Sequence, residues 1–436
     1  MTRQLHLLAF GNTRSAGPWR HPDIDNSTAG VRRRLIRHAQ IAEAGTFDAV
    51  FFADGLNFGP TATWAYKTPE DFEPLTTTAA LSSVTDHIGL VVTGSATLAQ
   101  PYHLARQLLS LDHLSSGRAG WNLVTSFARA AADNFSAAGV VDHDERYAIA
   151  EEAIDAVKKL WDSWDDDTIV EDRAAGVFHD INKIHVPNHH GRYFDVTGPI
   201  GASRSAQGQP VIFQAGSSAT GRAFAARHAE VIFTGQGNRE RAQEFYRQIH
   251  AEAARHPRAA PLITPSLRFI VGSTEEEAHR QERTAYEYFS PEYQAGWLLE
   301  VDVDVTGADL DGPVPACAFP ESTETHQTAL AGYRALAAEG NPTVREFLYR
   351  TVNGWGASVV GTPEQIVDSI EEWFDARAAD GFVLQDSGLP RQFEDFVDQV
   401  VPLLRKRGLF RHEYAGTTLR DHLGLARPVN RYRVPA

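Results

Sequence analysis

One cysteine, Cys317, stands in 436 residues. That scarcity excludes an intramolecular disulfide framework and any metal cluster built on several thiolates. Long hydrophobic runs are missing too: none approaches the ~18 residues that a membrane-crossing helix needs. The opening "MTRQLHLLAFGNTRSAG" has too short an apolar part for a secretory signal. Positive charge is in deficit: 41 Lys and Arg face 56 Asp and Glu, a formal net charge of −15. A nucleic-acid backbone or an anionic lipid surface calls for the opposite balance, so neither is an expected partner. Hydrophobic residues make up 42%, enough for a sizeable core and too many for overall disorder. The expectation left standing is a soluble, cytoplasmic globular protein.

What the chain does have is alternation. Short apolar runs at 5–10, 48–53, 88–93, 119–124, 210–214, 230–234, 266–271 and 381–385 read as strands. Several are apolar throughout, as strands buried on both faces should be. Helical patterns lie between them. Residues 30–45 carry Val31, Leu35, Ile36 and Ile41 on one side, with Gly45 as a stop. Residues 144–161 open on acids and close on lysines, as the helix dipole favours. Residues 362–381 start with Thr362-Pro363 and end on a glycine. Eight strands alternating with helices predict an α/β fold, a (β/α)8 TIM barrel. A doubly wound open sheet is the alternative, since periodicity does not report closure. The chain reads as a single barrel domain, 1–436, with no internal repeats. Two stretches break its rhythm as insertions at the C-terminal face: 162–208, polar and turn-rich, and 289–355, with "TGADLDGPVPACAFP" at its middle. The second is placed to act as a lid over an active site. The tail, 408–436, reads as extended.

Small polar groups gather where strands end. "PVIFQAGSSATGRAFAARHAEVIFTG" (210–235) hands a strand to a helix through Gly216, Ser217 and Ser218. The first N–H groups of a helix lack partners and carry partial positive charge. With a glycine for close approach and two hydroxyls, the turn suits a phosphate; a plain serine cap is the competing reading. A nucleophilic Ser218 is disfavoured, because Gly-x-Ser-x-Gly lacks its second glycine here. In "DHDERYAIAEEAI" (142–154), His143 and Tyr147 are four apart and share a helix face, with Arg146 beside them. Further strand ends deliver Asp54 and Gly55, Thr93-Gly94-Ser95, and Thr125-Ser126 behind Asn122. Asn122 sits inside an apolar run, where an amide must find a partner. His179, His185, His189 and His190 crowd one loop region, but their spacing is irregular and no His-Glu-x-x-His occurs, so no metal is expected.

"PWRHP" (18–22), "LDHLSSGRAGWNLVTS" (111–126), "DHDERYAIAEEA" (142–153), the 210–234 stretch and "TLRDHLGLARP" (418–428) follow one another in this order. Together they resemble the flavin-dependent monooxygenases typified by nitrilotriacetate monooxygenase component A and dibenzothiophene sulfone monooxygenase, a branch of the bacterial luciferase-like barrels. The resemblance spans roughly residues 3 to 430. It implies a (β/α)8 barrel holding FMN, as FMNH2, at the C-terminal strand ends. The ring would rest near Asp54, Thr93, Ser95 and Asn122. The phosphate would meet His143, Tyr147, Gly216, Ser217 and Ser218. It further implies that a separate NAD(P)H:flavin reductase supplies reduced flavin by diffusion. O2 would then form a flavin (hydro)peroxide that oxygenates a small organic substrate. Trp19, His21, Asn57 and Phe58 are the candidates on the substrate side. The same resemblance makes a homodimer or homotetramer the expected assembly. Hydride transfer by flavin or a deazaflavin on the same barrel is the alternative chemistry.

Overall fold

A computed structural model describes residues 3–11, 18–57, 65, 66, 68, 72–126, 129–135, 142–321, 323, 327–353 and 356–433. Eight parallel strands close on themselves: β1 (His6–Phe10), β2 (Ala49–Phe52), β3 (Gly89–Ser95), β4 (Ala119–Val124), β5 (Val211–Gln214), β6 (Val231–Thr234), β7 (Leu262–Val271) and β8 (Gly381–Gln385). Each pairs with the next, and β8 returns to β1 through His6 opposite Gly381 and Ala9 opposite Leu384. β7 serves both neighbours, β6 through Leu262–Pro265 and β8 through Ser266–Arg268. The barrel is closed, not an open sheet. A further strand, Ala357–Gly361, which sequence reasoning did not foresee, lies outside the ring against the far half of β7.

The alternation of strand side chains sorts the residues into two layers. Leu7, Ala9, Val50, Leu90, Val92, Leu267 and Phe269 face outward into the helices. Leu8, Phe51, Val91, Phe213, Val231 and Val383 face inward, joined by Phe10 and Phe233. Near the C-terminal mouth four of these form an aromatic floor. Phe51 lies 5.2 Å from Phe233 and 6.2 Å from Phe213 between ring centroids, and Phe10 lies 6.1 Å from Phe51.

The opposite, N-terminal end is plugged by the tail. Its short helix Leu419–His422 places Leu419 in the inner layer, with Leu419 N–H on Gly117 O at 3.0 Å. Arg420 is buried there, donating to Gln209 O and pairing with Glu230 at 2.5 Å. The segment 408–433 thus folds back onto its own barrel instead of running extended.

The two departures from the barrel rhythm have different structures. Residues 162–208 carry two small antiparallel hairpins, Ile169–Asp172 with Val177–His179 and His189–His190 with Asp195–Val196. The 289–355 stretch folds into the helices Pro291–Leu298, Gln327–Ala338 and Val344–Arg350 around its own core, in which Leu298, Tyr333, Phe347 and Leu348 are buried. Among the described residues no helix is long and apolar enough to cross a membrane.

Candidate active site at the barrel mouth

The β3 and β4 ends build one wall of the mouth. Thr93 pairs in register with Asn122, so both project from the same level of the barrel. Asn122 Nδ2 donates to Thr93 Oγ1 at 2.8 Å, and Thr93 passes its own proton to Phe52 O at 2.7 Å. Asn122 is 3% exposed and its Oδ1 has no partner among the described residues. A buried carbonyl oxygen left unpaired costs ~1–3 kcal/mol, so the position is suited to a ligand N–H. Next along β3, Ser95 Oγ accepts from Ser126 Oγ at 2.8 Å and from Leu98 N–H at 3.2 Å. Trp121 locks this corner from outside: its Nε1–H reaches Gly94 O at 3.0 Å, and a Cβ on Gly94 would sit only 3.0 Å from that nitrogen.

The second cluster sits where β5 turns into the helix Ala219–His228. Ser218 caps that helix, accepting Gly221 N–H at 3.1 Å, and shares a 3.2 Å hydrogen bond with His143 Nε2. Ser217 shares one with Thr234 Oγ1 at 3.2 Å. His143 and Tyr147 come from the helix His143–Trp161, their rings 5.1 Å apart on the shared face that their spacing predicts. Glycine is required at the turn: a Cβ on Gly216 would stand 2.6 Å from the Tyr147 hydroxyl and 2.3 Å from Gln214 Nε2, and one on Gly221 2.7 Å from the same hydroxyl. Burial pushes the Tyr147 phenol above its ordinary value, with the Ser218 and Thr125 side chains pulling the other way. It therefore keeps its proton at neutral pH and remains a donor. Arg146 is 4% exposed and its Nε has no partner among the described residues. Arg222 Nη1 donates to Ser217 O at 2.7 Å. A capped helix start, a phenol, an imidazole and two guanidinium groups make this a donor-rich, cationic corner, the composition a phosphate selects.

Thr125 and Ser126 link the two clusters, the first beside Tyr147 and the second on Ser95. Thr93 and Asn122, hydrogen-bonded to each other, and Ser95, bonded to Ser126, thus form one wall of the mouth, and His143, Tyr147, Gly216, Ser217 and Ser218 gather at the turn. Asp54 follows β2 and accepts Gly55 N–H at 2.8 Å; Asn57 is half-buried on the same loop. Phe58 lies outside the described residues. Trp19 and His21 stand on a separate loop, Trp19 Nε1 donating to Tyr66 O at 2.9 Å and His21 packing 5.2 Å from Tyr288. The crowded histidines disperse onto separate partners, His185 on Asp165, His189 on Glu152 and His190 on Asp195. Among the described residues no three His, Cys, Asp or Glu converge as metal ligands.

On the other side of the mouth opens a cavity of about 950 Å³. Phe10 and Phe233 of the aromatic floor line it, with Ser266, Arg268 and Gln385 from β7 and β8. Phe289, Tyr293, Trp297 and Tyr349 of the 289–355 lobe cover it. Sequence reasoning passed over Gln214, Thr234 and Arg268. Gln214 and Arg268 each interrupt or end an apolar strand, the same signal that singles out Asn122.

A family profile described as Luciferase-like monooxygenase matches residues 16–380. The chain is 43% identical, over 99% of its length and 98% of the relative's, to N-acetyl-S-(2-succino)cysteine monooxygenase of Bacillus subtilis strain 168. It is 40% identical, over 96% of both chains, to nitrilotriacetate monooxygenase component A of Aminobacter aminovorans. Among solved structures, a riboflavin lyase with modified FMN and riboflavin superposes with a TM-score of 0.84 at 34% identity, covering 97% of this chain and 96% of the other.

Proposed function

The chain belongs to the luciferase-like monooxygenase family and is a flavin-dependent monooxygenase; from that premise we propose that it takes FMN in the reduced state, with O2, and oxygenates a small organic molecule in the cavity under the lobe. The hydride-transfer alternative is not favoured, because the relatives are named monooxygenases. The carrying observation is Asn122: a buried carboxamide at the inner mouth, fixed by Thr93 and presenting an unpaired acceptor. The N–H-rich ring of a flavin fits that acceptor.

Asn122, Thr93 and Ser95 would hold the ring, with Asp54 on the neighbouring loop. His143, Tyr147, Ser217 and Ser218 would hold the phosphate, with Gly216 admitting it. Bound reduced flavin supplies the activation of O2, one oxygen atom going to substrate and the other to water. The chain's own residues orient and exclude. Tyr147 donates because burial keeps it protonated. The phenylalanine floor below and the lobe above keep water from the reacting centre, where it would divert the oxygen chemistry. Trp19, His21 and Asn57 remain the proposed outer substrate contacts. The word "component" in one relative's name supports a two-component arrangement, in which an NAD(P)H:flavin reductase delivers FMNH2 by diffusion. A homodimer or homotetramer in the cytoplasm completes the proposal.

The test is reconstitution with FMN, NADH and a flavin reductase over a panel of thioethers, amines and sulfones under ¹⁸O2, read by mass spectrometry. Incorporation of one labelled oxygen atom is expected. FMNH2 reoxidation unaltered by the protein, with no labelled product across the panel, would count against the reading.

A further inference from the structure

Arg268 is the charged residue in the middle of β7, flanked by the outward, core-facing Leu267 and Phe269. Alternation turns its side chain the other way, into the mouth, where it lines the cavity beside Ser266. It is 7% exposed. Its Nη2 donates to Tyr349 Oη at 3.1 Å, and the guanidinium carbon lies 4.8 Å from the centre of that ring. Among the described residues no carboxylate comes within 4.0 Å of it. Asp386, which lines the same cavity, accepts Gly388 N–H at 2.7 Å; burial raises its carboxyl pKa, while His38, that N–H and Arg268 itself pull it down. A guanidinium held out of water with no carboxylate in direct contact is costly, and part of that cost is recovered when an anion enters. The planar fork matches a carboxylate with two parallel hydrogen bonds.

We propose that Arg268 anchors an acidic group of the substrate, a carboxylate, so that the enzyme selects carboxylate-bearing substrates. The inference rests on the reading of this cavity as the substrate chamber. It divides the mouth: the cationic corner at β5 takes the cofactor's phosphate, and Arg268, on β7, takes the substrate's charge. Tyr349, from the lobe helix Val344–Arg350, is the positioning residue. Its hydroxyl fixes one Nη, leaving the remainder of the fork for the ligand and tying lobe position to the occupied anion site.

The experiment uses thiodiacetate and its dimethyl ester as probes, titrated calorimetrically into the full chain with and without oxidised FMN. Wild-type protein is expected to prefer the diacid by at least about tenfold, the worth of one charge-assisted pair. Arg268→Gln is expected to bring acid and ester within about twofold of each other, and Arg268→Lys to retain part of the preference as a point charge. FMN affinity should stay at the wild-type value in both variants. A strut that merely held Tyr349 would lower both probes together. Equal binding of acid and ester by wild-type protein overturns the proposal even if neither variant folds. So does a preference that survives Arg268→Gln, or an FMN affinity that falls with it, which would assign the guanidinium to the cofactor's phosphate. Failure of FMN to bind at all defeats the cofactor reading alone, since the acid–ester comparison is also made without flavin.

Discussion

Tyr147→Phe removes one oxygen atom and leaves the ring where it is, so it isolates the hydroxyl from the packing around it. That ring lies 5.6 Å from Phe224 and 5.1 Å from His143, contacts the phenylalanine keeps. The deleted hydroxyl faces the turn, where Gly216 and Gly221 leave it room. A hydrogen bond to a charged group contributes ~1.5–3 kcal/mol. At 1.4 kcal/mol per decade, FMN binding should weaken about 12- to 140-fold. Riboflavin, which has no phosphate, should bind the variant and wild type alike, so the ratio of the two ligands' dissociation constants carries the result. Quenching of flavin fluorescence measures both. The donor is un-ionised throughout neutral pH, because burial raises its pKa, and a phosphate monoester is fully ionised well above its second pKa of about 6, so the difference should be flat between about pH 7.5 and 9. If FMN and riboflavin lose affinity equally, or neither loses any, the phosphate does not meet this hydroxyl and the cradle is misassigned.

Ser217→Ala with Ser218→Ala should weaken FMN by ~2–4 kcal/mol in total while sparing riboflavin; loss of the Ser218 cap should also lower global stability by ~1 kcal/mol in urea melts. At the other end of the barrel, burial and the nearby Arg411 hold the His422 imidazole down to about 4. The unfolded chain takes up that proton first, so stability should fall by about 3 kcal/mol as pH drops from 6.5 to 4. His422→Phe should flatten that slope, since neither ring nitrogen has a partner to strand; an unchanged slope would contradict the assignment. Asp48 is fully buried, with His6 Nδ1 at 3.0 Å, Leu7 N–H at 2.8 Å and Arg411 Nη2 at 3.0 Å in an ion pair off hydrogen-bond alignment. Burial raises its pKa, but Arg411 and His6 outweigh that and hold it below the usual carboxylate range. Its contribution is complete above pH ~4 and disappears on further acidification. Asp48→Asn should therefore cost ~3–5 kcal/mol at neutral pH by leaving Arg411 unpaired, and progressively less below pH 4 in acid melts.

The barrel was legible because its strands are buried on both faces. Runs such as "IGLVVT" and "PVIFQ" need no alternation to be recognised, and bounded length separates them from helices. β7 starts at Leu262, four residues ahead of the expected 266, because Pro265 reads as a breaker. In the structure Pro265 is the last β7 residue paired to β6, where a missing N–H is tolerated at the point the strand changes partners. The Ala357–Gly361 strand escaped because the four residues between Gly356 and Gly361 carry too little pattern, and the only strand it pairs with among the described residues is β7. The strand–turn–helix at Gly216–Ser218, the proposed phosphate cradle, was visible as a sequence signature. The contact that completes it, Tyr147 against Gly216 and Gly221, joins residues some seventy positions apart, which local spacing does not encode.

Asn122 and Arg268 share one physical feature on two sides of the mouth. The floor of the barrel is apolar at Phe51, Val91, Phe213 and Val231. A polar or charged residue at such a position loses its hydration and regains it only from a partner. Asn122 recovers half of its hydrogen bonds from Thr93 and presents the other half unpaired. Arg268 recovers part of its own from Tyr349 and meets no carboxylate among the described residues. In both, the shortfall faces the mouth and differs in sign: an acceptor without a donor on the β4 side, a cation with no carboxylate in direct contact on the β7 side. A single ligand does not satisfy both chemistries as readily as two, one bearing ring N–H groups and one bearing an acid. The barrel carries both positions on one rim, so if the two proposed occupants bind there, reduced flavin and O2 would meet the substrate under a lobe that excludes water.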